Sequence, residues 1–389
     1  MLARSGHRGN QALTRPYTSA VQITVKKLVV VMATTAFAAG AAPTGIANAQ
    51  DSASTSHQSV PIPEPRTRFL DSVSLDSASD GWAVGSSDGS ESRPGNHAEH
   101  WDGTDWTTVK MPPVGTFGFI TGVEAITPDN AWAVGRGRNG GALIDHWDGD
   151  KWKIAATTPF NTFLLSVSAS SPTDIWAVGW AYATNQEILL HYDGSTWTTV
   201  DGASLSSGGL TDVEGRSSTN VWASGFLQGQ NRPLVEHNDG TGWSLAKRTS
   251  ELPADSGANA VSSLRENDTW LAGSYESDSS TVPMLAHWNG SHWQLADVPI
   301  DEGQLRDVYM IATDDVWAVG TSGGEALVLH YDGTSWTRVA TPNPGKATAL
   351  TGLDAISSDE VAAVGGYVAP TGARRPLTLR WDGSTWSRS

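Results

Sequence analysis

Residues 174–197 read DIWAVGWAYATNQEILLHYDGSTW, and this stretch decides the fold because the chain carries seven versions of it. Its opening returns as DGWAVG at 80–85, NAWAVG at 130–135, NVWASG at 220–225, DTWLAG at 268–273, DVWAVG at 315–320 and EVAAVG at 360–365. Its close returns as HWDGTDW at 100–106, HWDGDKW at 146–152, HNDGTGW at 237–243, HWNGSHW at 287–293, HYDGTSW at 330–336 and RWDGSTW at 380–386. Equivalent Trp residues stand 43 to 50 positions apart. A fixed period of this length marks a stacked array of one small unit.

Each unit holds four strand signals. In the quoted copy, residues 164–168 alternate apolar and polar, and 175–178 form a β-rich run ended by Gly179. Residues 188–192 and 196–200 supply two more runs. Asp193-Gly194 between them is a tight-turn signal, because Gly accepts the positive φ that such a turn demands. A four-stranded antiparallel unit of this size is a propeller blade. The expected fold is therefore all-β: a seven-bladed β-propeller of four-stranded antiparallel blades over residues 67–389. Neighbouring blades would pack through the recurring Trp residues. Residues 50–66 read as a polar, Pro-rich lead-in. Within it 59–63 (SVPIP) resembles the end of a fourth strand, which could close the ring by pairing with the last blade.

The first 49 residues read as a signal peptide. Lys26 and Lys27 precede a small, apolar run at 28–42, and Ala47, Asn48 and Ala49 form an A-x-A cleavage signal, placing the cut after Ala49. Pro43 and the shortness of the run argue against a membrane span. The expectation is a secreted, extracellular protein. The prefix has five basic residues and no acid, so the remainder holds 20 basic against 41 acidic residues. Such a surface repels nucleic-acid phosphate and anionic lipid, and leaves glycans or basic proteins as partners. Cys is absent, which excludes disulfides, thiolate metal sites and cysteine nucleophiles.

The order of strand, W-A-V-G, third strand with H-W-D-G, then Trp resembles the kelch and galactose-oxidase kind of propeller. It is more similar still to the W-A-V-G/H-W-D-G repeat proteins exported by actinobacteria, over about Phe69 to Ser387. Within that group the chain resembles the propeller lectin subunits of umbrella toxin particles. The resemblance implies a place in a large secreted complex, an adaptor protein as partner, and recognition of competitor cells. Some such subunits carry a trypsin-like domain, but this chain has no G-D-S-G serine motif.

Repetition separates scaffold from site. Seventeen of the 18 Trp fall at three repeat positions, and Trp180 is the exception. His100, His146, His191, His237, His287 and His330 share one position, taken by Arg380 in the last copy. Set a blade apart, they are too distant for one metal ion at ~2 Å, and each is expected to hydrogen-bond within its own blade. The Asp of each D-G pair is expected to shape its turn. Galactose-oxidase chemistry requires a tyrosine–cysteine crosslink, and the sialidase Asp-box does not match the spacing of "YDGSTW".

Function is expected where the copies differ. The loops after W-A-V-G and those leading to the next blade lie on one face of a propeller and vary most, and binding residues concentrate on such loops. They carry Arg136 and Arg138; Trp180 and Tyr182; Phe226, Gln230 and Arg232; Tyr275 and Glu276; Tyr367, Arg374 and Arg375. Aromatic faces suit sugar rings, and Arg or amide groups suit their hydroxyls. The alternative for Trp180 and Phe226 is packing inside the mouth of the ring. No catalytic, metal or cofactor set stands out. The leading expectation is a lectin-like binding propeller for a cell-surface glycan. The alternatives are a platform docking an extracellular adaptor, and a glycosidase or lyase, which would need two carboxylates at a defined separation.

Overall fold

Each copy of the repeat folds into one antiparallel sheet whose four strands follow chain order, and seven such sheets form a closed ring. The computed structural model describes residues 68–389 apart from 90–92, 115–117, 138–139, 204–206, 230–231 and 278–279. The expected signal peptide and cleavage point, and the lead-in with 59–63, lie outside the described residues. In blade 3 the strands are Thr162–Ser171, Asp174–Ala181, Gln186–Tyr192 and Trp197–Val200. The first is longer than the alternating run at 164–168 because pairing continues on both sides of a bulge between Leu164 and Ser166.

The first strands are innermost. They are Arg68–Ser77, Phe119–Thr127, Thr162–Ser171, Gly208–Ser217, Ser256–Arg265, Gln304–Ala312 and Lys346–Ser357. All seven line one axial cavity of about 280 Å³. The bulge in each explains the Gly of W-A-V-G. A Cβ on Gly179 would lie 2.0 Å from the Phe163 carbonyl oxygen, and Gly85, Gly135, Gly225, Gly273, Gly320 and Gly365 meet the same obstruction. Only a residue without Cβ lets the bulged strand stay paired. The D-G turns are also as expected. Asp193 Oδ1 accepts the backbone N–H groups of Ser195 and Thr196, and Gly194 has φ +91°.

Blades adhere through an aromatic ladder. The W-A-V-G Trp of one blade meets the last Trp of the next: Trp82 and Trp152 lie 4.9 Å apart between ring centroids, Trp176 and Trp243 5.1 Å, and Trp270 and Trp336 5.1 Å, all edge-on. The repeat His backs this Trp from its own blade, as His191 does on Trp176 at 4.3 Å. Its Nε2 donates to the Asp or Asn that opens the second strand, as His191 does to Asp174 and His146 to Asn130. The six His are thus consumed within their own blades.

Two tiers of polar links join neighbouring first strands. In the lower tier a side chain accepts a backbone N–H from the next blade. Ser74 accepts from Ala125, Glu124 from Ala169, Ser168 from Gly215, Glu214 from Ser263, Ser262 from Met310, and Asp354 from Leu75. In the upper tier the bulge residue donates to a carbonyl: Thr121 to Leu164, Thr211 to Ala258, Asn259 to Leu305 and Thr351 to Leu70. The unpaired edge of an innermost strand faces a confined space, and these links supply its partners.

The seam between blades 7 and 1 departs from the pattern. Ala362 replaces the W-A-V-G Trp, and Arg380 replaces His. The Arg380 guanidinium lies 4.2 Å from the Trp101 ring of blade 1 and pairs with Glu360. His97, where other blades carry Leu, Ile or Met, is buried and donates to Glu99 at 2.7 Å. The apolar cluster here reduces to Leu70, Val73, Leu75, Ala83, Ala362 and Val364, with Trp106 at its edge. Among the described residues, the four strands of blade 7 all come from its own segment, ending in Trp386–Arg388.

Two outcomes follow from this packing. Ser262→Ala leaves the buried Met310 N–H without an acceptor and lowers stability by about 1–3 kcal/mol, read as a lower midpoint in denaturant. The paired change Ala362→Trp with Arg380→His restores the ladder at the last seam. It raises the melting temperature through a ring pair worth about 0.5–1.5 kcal/mol; an unchanged or lower melting temperature would contradict the role assigned to the ladder.

Candidate functional site

Chain direction places the variable loops at one end of the ring. At that end each first strand begins, each second strand ends and each third strand begins, while the two tight turns of every blade lie at the other. The repeat leaves its mark on the turn end. The loop end carries the segments that vary most between copies.

Around blades 2 to 4 these residues form one connected group. The Arg136 guanidinium donates to the Tyr182 hydroxyl at 3.0 Å and lies 5.5 Å from its ring. Tyr182 packs beside Phe163, at 6.0 Å. Phe163 meets Trp180 at 5.8 Å, and Trp180 meets Phe226 of the next blade at 5.4 Å, both edge-on. Trp180 and Tyr182 are half-buried, whereas Phe226 is buried. Gly209 opposite Trp180 provides the space: a Cβ there would lie 2.9 Å from Cγ of the indole. Trp180 and Phe226 therefore pack across the seam of blades 3 and 4, while part of the Trp180 and Tyr182 surfaces stays open.

The other expected residues sit elsewhere around the ring. Arg232 donates to the carbonyls of Ser250 and Leu252 at 3.4 and 3.5 Å, clamping the connection between blades 4 and 5. Tyr275 is half-buried near the end of the second strand of blade 5, opposite Ser256 and Val282. Glu276 accepts from the Thr281 hydroxyl at 3.0 Å. In blade 7, Tyr367 stands opposite Arg375 in register, and the Arg374 guanidinium lies 4.9 Å from the Phe69 ring of blade 1. Arg138 and Gln230 lie outside the described residues. The expected set thus forms separate groups around one end rather than a single pocket.

The axial cavity holds a group that sequence reasoning missed. Glu124, Asp212, Glu214, Arg216, Asp307, Tyr309 and Asp354 all line it. Alternation in the innermost strands carried the signal, in segments such as Asp212-Val213-Glu214 and Asp307-Val308-Tyr309. Asp212 accepts from Ser166 and from the Val261 N–H, and Asp307 from the Leu353 N–H. Arg216 pairs with Glu214, donates to the Ser263 and Met310 carbonyls, and lies 5.2 Å from the Tyr309 ring. Burial pushes the Glu124 carboxyl up to about 8, with Asp354 and Glu214 adding repulsion. It pushes Asp212 and Asp354 up to about 6, and Asp307 well above its usual range with added repulsion from Asp212. The carboxylates are engaged by backbone amides of neighbouring blades. Among the described residues no group of three or more His, Asp or Glu is placed to hold a metal ion. No helix among them is long and apolar enough to cross a membrane.

The architecture defines the class, a seven-bladed β-propeller. No protein-family model matches the sequence, and no curated protein matches it. Solved structures similar to it include YCF48 from Cyanidioschyzon merolae, 16% identical, with a TM-score of 0.54 over 82% of this chain and 97% of that one. A GH74 xyloglucanase from Xanthomonas campestris is 12% identical, with a TM-score of 0.55 over 83% of this chain and 54% of that one. The six-bladed fucose-recognising lectin of Aleuria aurantia is 12% identical, with a TM-score of 0.47 over 82% of this chain and 94% of that one. At these identities the likeness is one of fold.

The cavity carboxyls give the protein a characteristic pH response. In the folded chain Glu124, Asp212, Asp307 and Asp354 hold protons that the unfolded chain releases at about 4. Their contribution to stability is complete below about pH 4 and is lost as pH rises through 6 to 8. The turn residues Asp102, Asp193, Asp332 and Asp382 act in the opposite sense. Hydrogen bonds hold each at about 2, so their contribution is lost as pH falls below about 4. The melting temperature accordingly peaks near pH 4 and declines toward pH 8.5, and Glu124→Gln lessens that decline. A profile flat from pH 5 to 8.5 contradicts the assignment.

Proposed function

We propose that the chain is a secreted, lectin-like propeller that binds a cell-surface glycan through its loop end. One observation carries the reading. Side chains at the repeat positions are committed to the scaffold, whereas Trp180 and Tyr182, which lie outside the repeat, stand at the loop end with aromatic surface still open. There, Arg136 fixes the Tyr182 hydroxyl while the flank of Tyr182 packs on Phe163. This leaves a preorganised aromatic ledge, with Trp180 next to it, suited to the apolar face of a sugar. A rigid ring with variable loops supports binding rather than turnover. The axial carboxylates support the same reading, because each is engaged in linking blades instead of flanking an open cleft.

The larger setting is proposed from the sequence. The export signal and the resemblance to umbrella-particle lectin subunits support a target-recognition role in an extracellular antibacterial toxin complex. An adaptor protein would then be its partner, and the two roles require different surfaces of the disc.

A glycan array probed with the purified protein tests the binding reading. Wild type binds a defined set of glycans, and Tyr182→Ala reduces that binding at least tenfold with the melting temperature within a few degrees of wild type. Absence of binding to any glycan, alongside a stoichiometric protein partner insensitive to added sugars, would replace this reading with that of an adaptor-docking platform.

A further inference from the structure

The geometry points to a second binding element in blade 7: a site for the anionic group of an acidic glycan, formed by Arg375 and Arg388 beside Tyr367. It rests on the reading of the loop end as a glycan binder and adds the charge of the ligand.

Charge sorting is the first observation. The chain beyond its prefix has 20 basic and 41 acidic residues, yet the loop end of blade 7 is cationic. The strands of this blade are Lys346–Ser357, Glu360–Val368, Arg374–Trp381 and Trp386–Arg388. Its carboxylates lie away from the loops. Asp354 faces the axis, Asp359 and Glu360 stand at the first tight turn, and Asp382 shapes the second. Lys346, Arg374 and Arg375 stand at the loop end, and Arg388 reaches toward it along the outer strand.

Side-chain placement is the second observation. Residues directly opposite in an antiparallel pair share a face, with Cβ atoms about 5 Å apart. Tyr367 and Arg375 are such a pair. On that same face the Arg388 guanidinium lies 5.4 Å from the Tyr367 ring and donates to its hydroxyl at 3.4 Å. Tyr367 is half-buried against the seam of blades 6 and 7, which fixes the ring. Arg375 and Arg388 are exposed, and among the described residues neither forms an ion pair. Arg374 lies on the Phe69 ring of blade 1, and the exposed Lys346 widens the cationic end.

The Arg388 guanidinium lies against the Tyr367 ring, and Arg375 stands on the same face opposite that tyrosine; an anion between the two like charges would relieve their repulsion, and each guanidinium presents a planar fork matched to carboxylate or phosphate. The overall negative field disfavours a long polyanion. The fitting ligand is therefore a short acidic glycan, whose sugar ring can rest against tyrosine while its carboxylate or phosphate meets the arginines.

The test compares oligogalacturonate, its neutral methyl ester and a glycerol-phosphate oligomer by titration calorimetry on the purified protein. Wild type binds the uronate at least tenfold more tightly than the ester at low salt. Arg375→Gln with Arg388→Gln abolishes that difference with the melting temperature unchanged, and is partly rescued by Arg375→Lys with Arg388→Lys. Lys151→Gln, at the turn end, has no effect. Preference for the glycerol-phosphate oligomer over both saccharides, lost in the same double variant, assigns phosphate as the anion. Uronate and ester bound alike, or uronate affinity equal in wild type and the double variant, overturns the site and leaves the glycan reading standing. An equal loss in Lys151→Gln overturns it as general charge attraction. Failure of every saccharide to bind, with the glycan array also empty, removes the glycan reading itself.

Discussion

The ring depends on satisfying one edge of its innermost strands. Each of those strands pairs with its own blade on one side and faces the axial cavity on the other. Amide N–H groups on the open side cannot be left dry, because each buried unpaired donor costs about 1–3 kcal/mol. The chain answers with Ser, Asp and Glu side chains that reach from one blade to the backbone of the next. Acids concentrated around an axis would in isolation suggest chemistry. Here their oxygens accept backbone hydrogens across the seams, and their raised protonation ranges follow from burial and mutual repulsion.

Closure is where the symmetry fails. Six seams carry a W-A-V-G Trp facing the next blade, and the seventh has Ala362. An arginine stacked on Trp101, a buried His97–Glu99 pair and the Asp354 link to Leu75 take its place. The last seam is also the one that no chain connection between successive blades crosses. Its polar character therefore concentrates the sensitivity of the ring in side chains rather than in backbone.

A scaffold held this way leaves the loop end free to vary. Arg136, Tyr182, Phe163, Trp180 and Phe226 form a tier across blades 2 to 4, while blade 7 gathers cations around Tyr367. The two groups lie on different parts of the ring and differ in chemistry, one aromatic and one cationic. A single extended ligand or several short ones could use them without disturbing the polar links between first strands, to which neither group contributes.

The sequence by itself determined the number of blades, their strand order, the tight turns and the residues reserved for packing. A repeated residue meets the same local environment seven times, so W-A-V-G and H-W-D-G reveal strand, turn and ladder positions without coordinates. The end that carries the variable loops was also legible, since chain direction alone separates them from the tight turns. The tertiary structure decided what the sequence left open. Trp180 turned out to lean on Phe226 of the next blade, Arg232 to clamp backbone carbonyls, and the alternating acids of the first strands to converge on the axis. These facts depend on contacts between different segments of the chain, which a periodic pattern cannot encode. Local propensity and periodicity specify one blade; only the closed ring brings the blades' edges into contact.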